Sequence, residues 1–191
     1  MDRETRTYSQ RTRVPKPLTA TRFEEMALAY VARFATSAAK LEAYLNRKLR
    51  ECGWDEDTAP QPDVRALVER YVALGYVDDE TYARARANSL LRRGYGRRRI
   101  TQALGAAGID EEIQEAVSAS PSEQRRAILA MARKKRFGPF GHESPDAARR
   151  EKQLASLLRA GHSLDNAREM VNAESIEWAE QWATELDHEQ E

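Results

Sequence analysis

The sequence predicts an all-α protein built from tandem three-helix repeats, and three observations carry that expectation. Apolar residues recur at helical spacing along most of the chain, and no stretch alternates as a strand would. Alanine supplies 30 of the 191 residues, which favours helix and a thin core of closely approaching helices. Ile100, Leu104 and Val117 are spaced by 4 and then 13, Leu154, Leu158 and Val171 show the same steps, and Leu41 and Leu45 repeat the first of them. A degenerate period of roughly 50 residues marks stacked helical modules, which expose long surfaces and seldom enclose an active site.

Residues 1–18 carry five basic and two acidic residues with almost nothing apolar, and are expected to form a disordered basic arm. Thr21 and Glu24 read as a capping box for the first helix. Ser37 caps a second, with Leu41, Leu45 and Leu49 on one face, stopped by Gly53. After the linker DEDTAPQP, Asp63 opens a third helix bearing Val64, Leu67, Val68, Tyr71 and Leu74, and Gly75 ends it. Asp78 and Asp79 start a fourth, with Ala83, Ala87, Leu90 and Leu91 inward up to Gly94. A fifth presents Ile100, Ala103, Leu104 and Ala107 before Gly108, and a sixth from Asp110 carries Ile113, Ala116 and Val117. Ser120-Pro121-Ser122-Glu123 combines an N-cap, an N1 proline and an N3 glutamate, so it opens the seventh helix, which ends at the basic run 133–136. Ser144-Pro145 opens an eighth, Ser163 a ninth, and residues 175–187 form a tenth. The resulting divisions are an arm (1–18), repeats at 19–75, 76–119 and 120–173, and an acidic C-terminal helix or tail (174–191).

The 31 basic and 31 acidic residues cancel, but residues 161–191 hold nine acidic residues and one basic, Arg168. The rest of the chain is correspondingly basic, and arginine outnumbers lysine 25 to 6. The acidic end is therefore a candidate shield for the chain's own basic face. Cys52 stands alone and reads as a buried, inert thiol in a reducing compartment. His142, His162 and His188 lack ligand spacing, and no Gly-rich phosphate loop or nucleophile–base motif is present. No cofactor, metal or catalytic activity is expected, a nuclease included. No apolar run reaches membrane-span length and no signal-peptide core is seen, so a soluble cytoplasmic protein without membrane contact is expected.

Five arginines crowd into LLRRGYGRRRI: Arg92, Arg93, Arg97, Arg98 and Arg99. Helical geometry places Arg84, Asn88 and Arg92 on one outer stripe and Tyr82, Arg86, Ser89 and Arg93 on another. Arg97–Arg99 occupy a first helical turn, where free N–H groups would also favour an anion. Phosphate, an acidic protein groove and a solvated face all remain open as partners. Gly94-Tyr95-Gly96 reads as the junction between two helices, Tyr95 as packing or a base-stacking ring, and Asp78-Asp79 as an N-cap with a dipole-matched neighbour. Trp178 and Trp182 lie one turn apart among glutamates, which favours docking of the last helix over nucleic-acid contact.

The segments ALAYVARFATSAAKLEAYL and LGYVDDETYARARANSLLRRGYGRRRITQALGAAGID resemble the RecX family, regulators of the bacterial recombinase RecA. The specific part is Gly75-Tyr76-Val77-Asp78-Asp79, Tyr82-Ala83, Arg93-Gly94, Gly96, Arg99-Ile100, Leu104 and Gly108-Ile109. The likeness runs over roughly residues 22–172, weakening in the third repeat, where KKRF and LASLLRAGHS keep only the outline. The resemblance implies three three-helix modules in an elongated, curved array. It implies a monomer that binds the groove of the RecA–DNA filament, with weaker, sequence-independent affinity for single- and double-stranded DNA. It also implies inhibition of recombinase ATPase, strand exchange and co-protease activity. Filament- or DNA-facing candidates are Arg84, Arg86, Arg92, Arg93, Tyr95, Arg97, Arg98, Arg99, Lys134, Lys135 and Arg136. Gly75, Tyr76, Asp78, Asp79, Gly94, Gly96 and Gly108 are read as structural. The alternative is an autonomous DNA-binding protein that reads duplex through a helix-turn-helix made from residues 79–107.

Overall fold

The computed structural model describes residues 16–143 and 145–187, and within them the fold is all-α and built of helical repeats. No strand occurs among the described residues, only a parallel bridge between Leu18 and Trp54. Most of the expected basic arm (1–15), Ser144 and residues 188–191 lie outside them. No helix among the described residues is long and apolar enough to cross a membrane.

The described residues divide into two compact units, one of residues 16–34 and 41–76, the other of residues 35–40, 77–143 and 145–187. The first holds α1 (Ala20–Arg33), most of α2 (Ala38–Cys52) and α3 (Val64–Ala73). Leu41, Leu45 and Leu49 are buried as their spacing predicts, together with Phe23, Ala27, Leu67, Val68 and Tyr71. The capping box expected at Thr21 and Glu24 is not used. Leu18 is buried and locked by backbone bonds to Gly53 and Asp55, so it belongs to the fold and not to the arm. With the chain fixed there, the helix begins at once and Thr19 caps it by accepting the Arg22 N–H at 3.3 Å. Glu24 pairs with Arg70 of α3 at 2.8 Å instead. Tyr30 of α1 stacks on Tyr44 of α2 at 4.1 Å between ring centroids.

The second unit contains α4 (Asp79–Arg92), α5 (Arg97–Gly105), α6 (Glu111–Ala116), α7 (Pro121–Lys135), α8 (Ala147–Arg159), α9 (Leu164–Asn172) and α10 (Ile176–Thr184). Ala83, Ala87, Leu90, Ile100, Leu104, Ala107 and Ile109 form one core. A second core gathers Ile128, Met131, Leu157, Met170 and Val171 with Ala179, Trp182 and Ala183 of α10. The tryptophan pair stacks at 6.2 Å, with Trp182 buried against α7 and Trp178 toward solvent. The acidic end is thus part of this core as far as Ala183, and Glu185 and Glu180 pair with Arg125 and Arg133 of α7.

Three expectations need correcting here. Ala116 is exposed, because α6 is a short helix that turns only Ile113 and Val117 toward the core. The eighth helix starts at Ala147, where Asp146 accepts the Arg149 N–H at 2.7 Å, not at Ser144-Pro145. Leu158, aligned with Leu104 by spacing, is 38 % exposed, whereas Leu157 is fully buried.

The helix ends explain the slip in register. Leu104 O accepts from Ile109 and Gly105 O from Gly108, while Leu157 O accepts from His162 and Leu158 O from Gly161. These are the same Schellman closure. Leu104 therefore corresponds to Leu157, Gly108 to Gly161, Ile109 to His162, and Val117 to the buried Met170. The same closure relates Leu90–Gly94–Tyr95 to Ala132–Arg136–Phe137.

Candidate functional site

The turn between α4 and α5 does more than punctuate two helices. Gly94 adopts φ 83°, and a Cβ there would lie 2.9 Å from both Cβ and N of Met131 on α7. Two residues on, the Gly96 N–H donates to Ala160 O at 3.0 Å, and the Arg98 N–H donates to Gly161 O at 3.1 Å. A Cβ at Gly96 would overlap the Gly161 carbonyl. Backbone therefore meets backbone where this turn meets the loop after α8, and only glycine permits that approach. His162, 6 % exposed, completes the joint as its Nε2–H donates to Gly94 O at 2.9 Å. Burial holds the imidazole below its ordinary pKa of 6.5, outweighing the opposing effect of that hydrogen bond. The first turn of α5 is consequently not an open anion site, as its sequence position suggests. The carbonyls of Ala160 and Gly161 already take two of its N–H groups.

At the other end of α4, Asp78 accepts from the Thr81 amide (2.9 Å) and hydroxyl (2.7 Å), and these bonds hold its carboxyl below the usual range. Asp79 is more than a dipole-matched neighbour. Its carboxylate accepts the Ala38 N–H at 2.8 Å and so caps the start of α2. Ser37 donates to Ala107 O at 2.6 Å, and Gly108 leaves room for Ala39. Gly75 closes α3 at φ 73°, and Tyr76 packs edge-on against Tyr71 at 5.5 Å.

The docked turn distributes the arginines in different directions. Arg93 lies over the half-buried Tyr95 ring at 5.3 Å and points into a pocket of roughly 310 Å³ shared with Lys134, Lys135 and Arg159. Met131, Ser156 and Ala160 also line it, and among the described residues no carboxylate does. Lys135 donates to Ser156 Oγ at 2.8 Å and lies over Phe137 at 5.6 Å. Arg92 turns to a different, shallow groove beside Glu123 and Arg126. Arg97 pairs with Glu115 at 2.9 Å on the rim of a cleft of roughly 830 Å³, where Arg98 and Glu111 also sit. Arg84 pairs with Glu80 at 2.6 Å, Arg136 donates to His142 Nε2 at 2.8 Å, and Arg86 and Arg99 are exposed.

Arg93, Tyr95, Lys134 and Lys135 are thus brought together, whereas Arg84, Arg86, Arg92, Arg97, Arg98, Arg99 and Arg136 are not part of that pocket. Arg159 joins it although it stands alone in the sequence; its only sequence signal is its place just before Ala160-Gly161. Among the described residues no cluster of three His, Cys, Asp or Glu is placed to hold a metal.

Residues 78–117 match the family model described as RecX, second three-helix domain. The regulatory protein RecX of Myxococcus xanthus is 31 % identical over 83 % of this chain and 89 % of its own length. That of Mycobacterium sp. (strain JLS) is 30 % identical over 84 % and 87 %. The crystal structure of RecX from Lactobacillus salivarius superposes with a TM-score of 0.60 at 21 % identity, covering 79 % of this chain and 93 % of that one. A likeness of that degree speaks for the fold, and the sequence relatives speak for descent. The chain belongs to the RecX family of regulatory proteins.

Proposed function

We propose that this chain is a non-catalytic regulator of the RecA–DNA filament. It binds along the filament groove as a monomer in the bacterial cytoplasm and inhibits recombinase ATPase, strand exchange and co-protease activity, modulating recombination and DNA repair. Its affinity for DNA alone is weaker and independent of sequence. The observation that carries the reading is the convergence of Arg93, Lys134, Lys135 and Arg159 in one pocket that no described carboxylate lines, on a chain of this family. Exposed cations in a concave, acid-free setting attract polyanions and acidic protein grooves alike. Arg86, Arg92, Arg98 and Arg99 are also exposed, outside that pocket.

The helix-turn-helix alternative has less support. A reading head needs its turn and the start of its second helix free to enter a groove. Here that turn is clasped by Gly161 and His162.

Recombinase ATPase on single-stranded DNA tests the proposal, since blocking of duplex binding cannot contribute there. Substoichiometric chain should suppress the rate. Suppression only when the chain saturates the DNA would point to simple titration of phosphate and overturn the proposal.

A further inference from the structure

The pocket between the α4–α5 turn, α7 and α8 concentrates positive charge that no described carboxylate balances. Arg93, Lys134, Lys135 and Arg159 line it with Ser156, and among the described residues no acidic side chain joins them. Arg93, Lys134 and Arg159 make no ion pair with any described residue, in contrast to Arg84, Arg97, Arg125 and Arg133. One carboxylate entering this space would leave most of the charge uncompensated. A phosphate monoester carries about −1.5 to −2 near neutral pH and presents three acceptor oxygens, and a pyrophosphate carries more.

The site is also held in shape before any ligand arrives. Tyr95 supports the Arg93 guanidinium, and the backbone contacts of Gly94 with Met131 and of Gly96 with Gly161 fix the two walls. The Lys135 ammonium donates to Ser156 Oγ, which leaves the hydroxyl hydrogen available for an oxyanion. At roughly 310 Å³ the space suits a small anionic group better than a peptide helix.

We infer that this pocket is a seat for a phosphate group of at least two negative charges, a phosphomonoester or pyrophosphate, carried by a free nucleotide or by the end of a nucleic-acid strand. It shares Arg93, Lys134 and Lys135 with the surface proposed above but goes beyond that reading, because it names a doubly charged phosphate as the ligand and needs no recombinase for binding.

Titration calorimetry of the full chain with inorganic pyrophosphate, without recombinase, tests it independently of filament inhibition. Saturable binding is expected, weakened about tenfold or more in Arg159→Gln and further in Lys134→Ala/Arg159→Gln. Arg84→Ala should leave it unchanged, and acetate at equal ionic strength should not compete. Both pocket residues are exposed, so circular dichroism should report a native fold for each variant. Absence of saturable binding, or equal binding by the folded double variant, overturns the assignment. Competition then separates the sources. Displacement by adenosine 5′-monophosphate alone assigns a free nucleotide. Displacement by a 5′-phosphorylated oligothymidine but not by its 5′-hydroxyl twin assigns a strand end. Equal displacement by the hydroxyl twin means that backbone phosphodiesters suffice, and sinks the inference.

Discussion

The turns after α4 and after α7 are two editions of one device, Arg93-Gly94-Tyr95-Gly96 and Lys135-Arg136-Phe137-Gly138. Each closes its helix with the same pair of backbone bonds, and each lays a cation over the following ring, at 5.3 Å and 5.6 Å. In each, the last glycine sits against a carbonyl, that of Gly161 for Gly96 and that of Met170 for Gly138. They differ at the left-handed residue. Gly94 at φ 83° is pressed against α7, whereas Arg136 holds φ 56° and runs outward to His142. A left-handed conformation alone does not require glycine; a left-handed conformation under a neighbouring helix does. One turn has become a joint and the other a display of charge.

Substitutions at the joint should have the largest effects. Gly96→Ala forces a methyl into the Gly161 backbone, which has no flexible end to give way, and should cost about 3 kcal/mol, lowering the melting temperature by about 6–12 °C. Gly94→Ala should cost about 2–3 kcal/mol through the combined contact with Met131 and positive φ. Its counterpart Arg136→Gly should stay within about 1 kcal/mol of the parent, since relief of strain offsets the greater freedom of the unfolded chain. Thermal unfolding of the three variants checks the comparison, and equal losses at Gly94 and Arg136 would break it.

The joint should also respond to acid. His162 is held neutral in the fold, so the unfolded chain takes up its proton at higher pH than the folded one does. That contribution is complete above the ordinary value of 6.5 and is lost progressively as the pH falls through the lowered one. His162→Asn should flatten melting temperature against pH below about pH 6.5 relative to the parent. A parallel pair of curves would remove His162 from the account. Asp78→Ala should cost about 1 kcal/mol as a lost N-cap. Lost inhibition with an unchanged melting temperature would instead make Asp78 a contact residue. Arg84→Ala removes only an exposed pair and should lie within about 0.5 kcal/mol of the parent.

The sequence made much of the local structure legible because side chains carry it. The stripe Leu41, Leu45, Leu49, the cap Asp78 and the capping box Ser120–Glu123 are all present. The spacing of Leu154 and Leu158 misses the register by one residue because Leu157-Leu158 offers two, and only the closure at Gly161 selects the first. For the candidate site, the two basic runs are visible in sequence but their convergence is not. Their joint is formed by backbone atoms of Gly96, Ala160 and Gly161, which leave no pattern of apolar side chains. Arg159 carries almost no sequence signal for the same reason: its pocket neighbours are set by that joint. Arg93 and Arg97 are likewise only four residues apart in the sequence, whereas Arg97 faces Glu115 and Arg93 lines the pocket with Lys134 and Arg159.

The central claim is that the pocket cations act together on the filament, not the arginine cluster as a whole. The direct measurement is recombinase ATPase on single-stranded DNA, titrated with the parent chain, with Arg93→Ala/Lys134→Ala/Arg159→Ala and with Arg84→Ala/Arg97→Ala, all confirmed as folded. The pocket variant should need about tenfold more protein, or more, for the same suppression, while the paired-arginine variant should match the parent. Equal inhibition by the pocket variant, or a matching loss in the paired-arginine variant, would contradict the account.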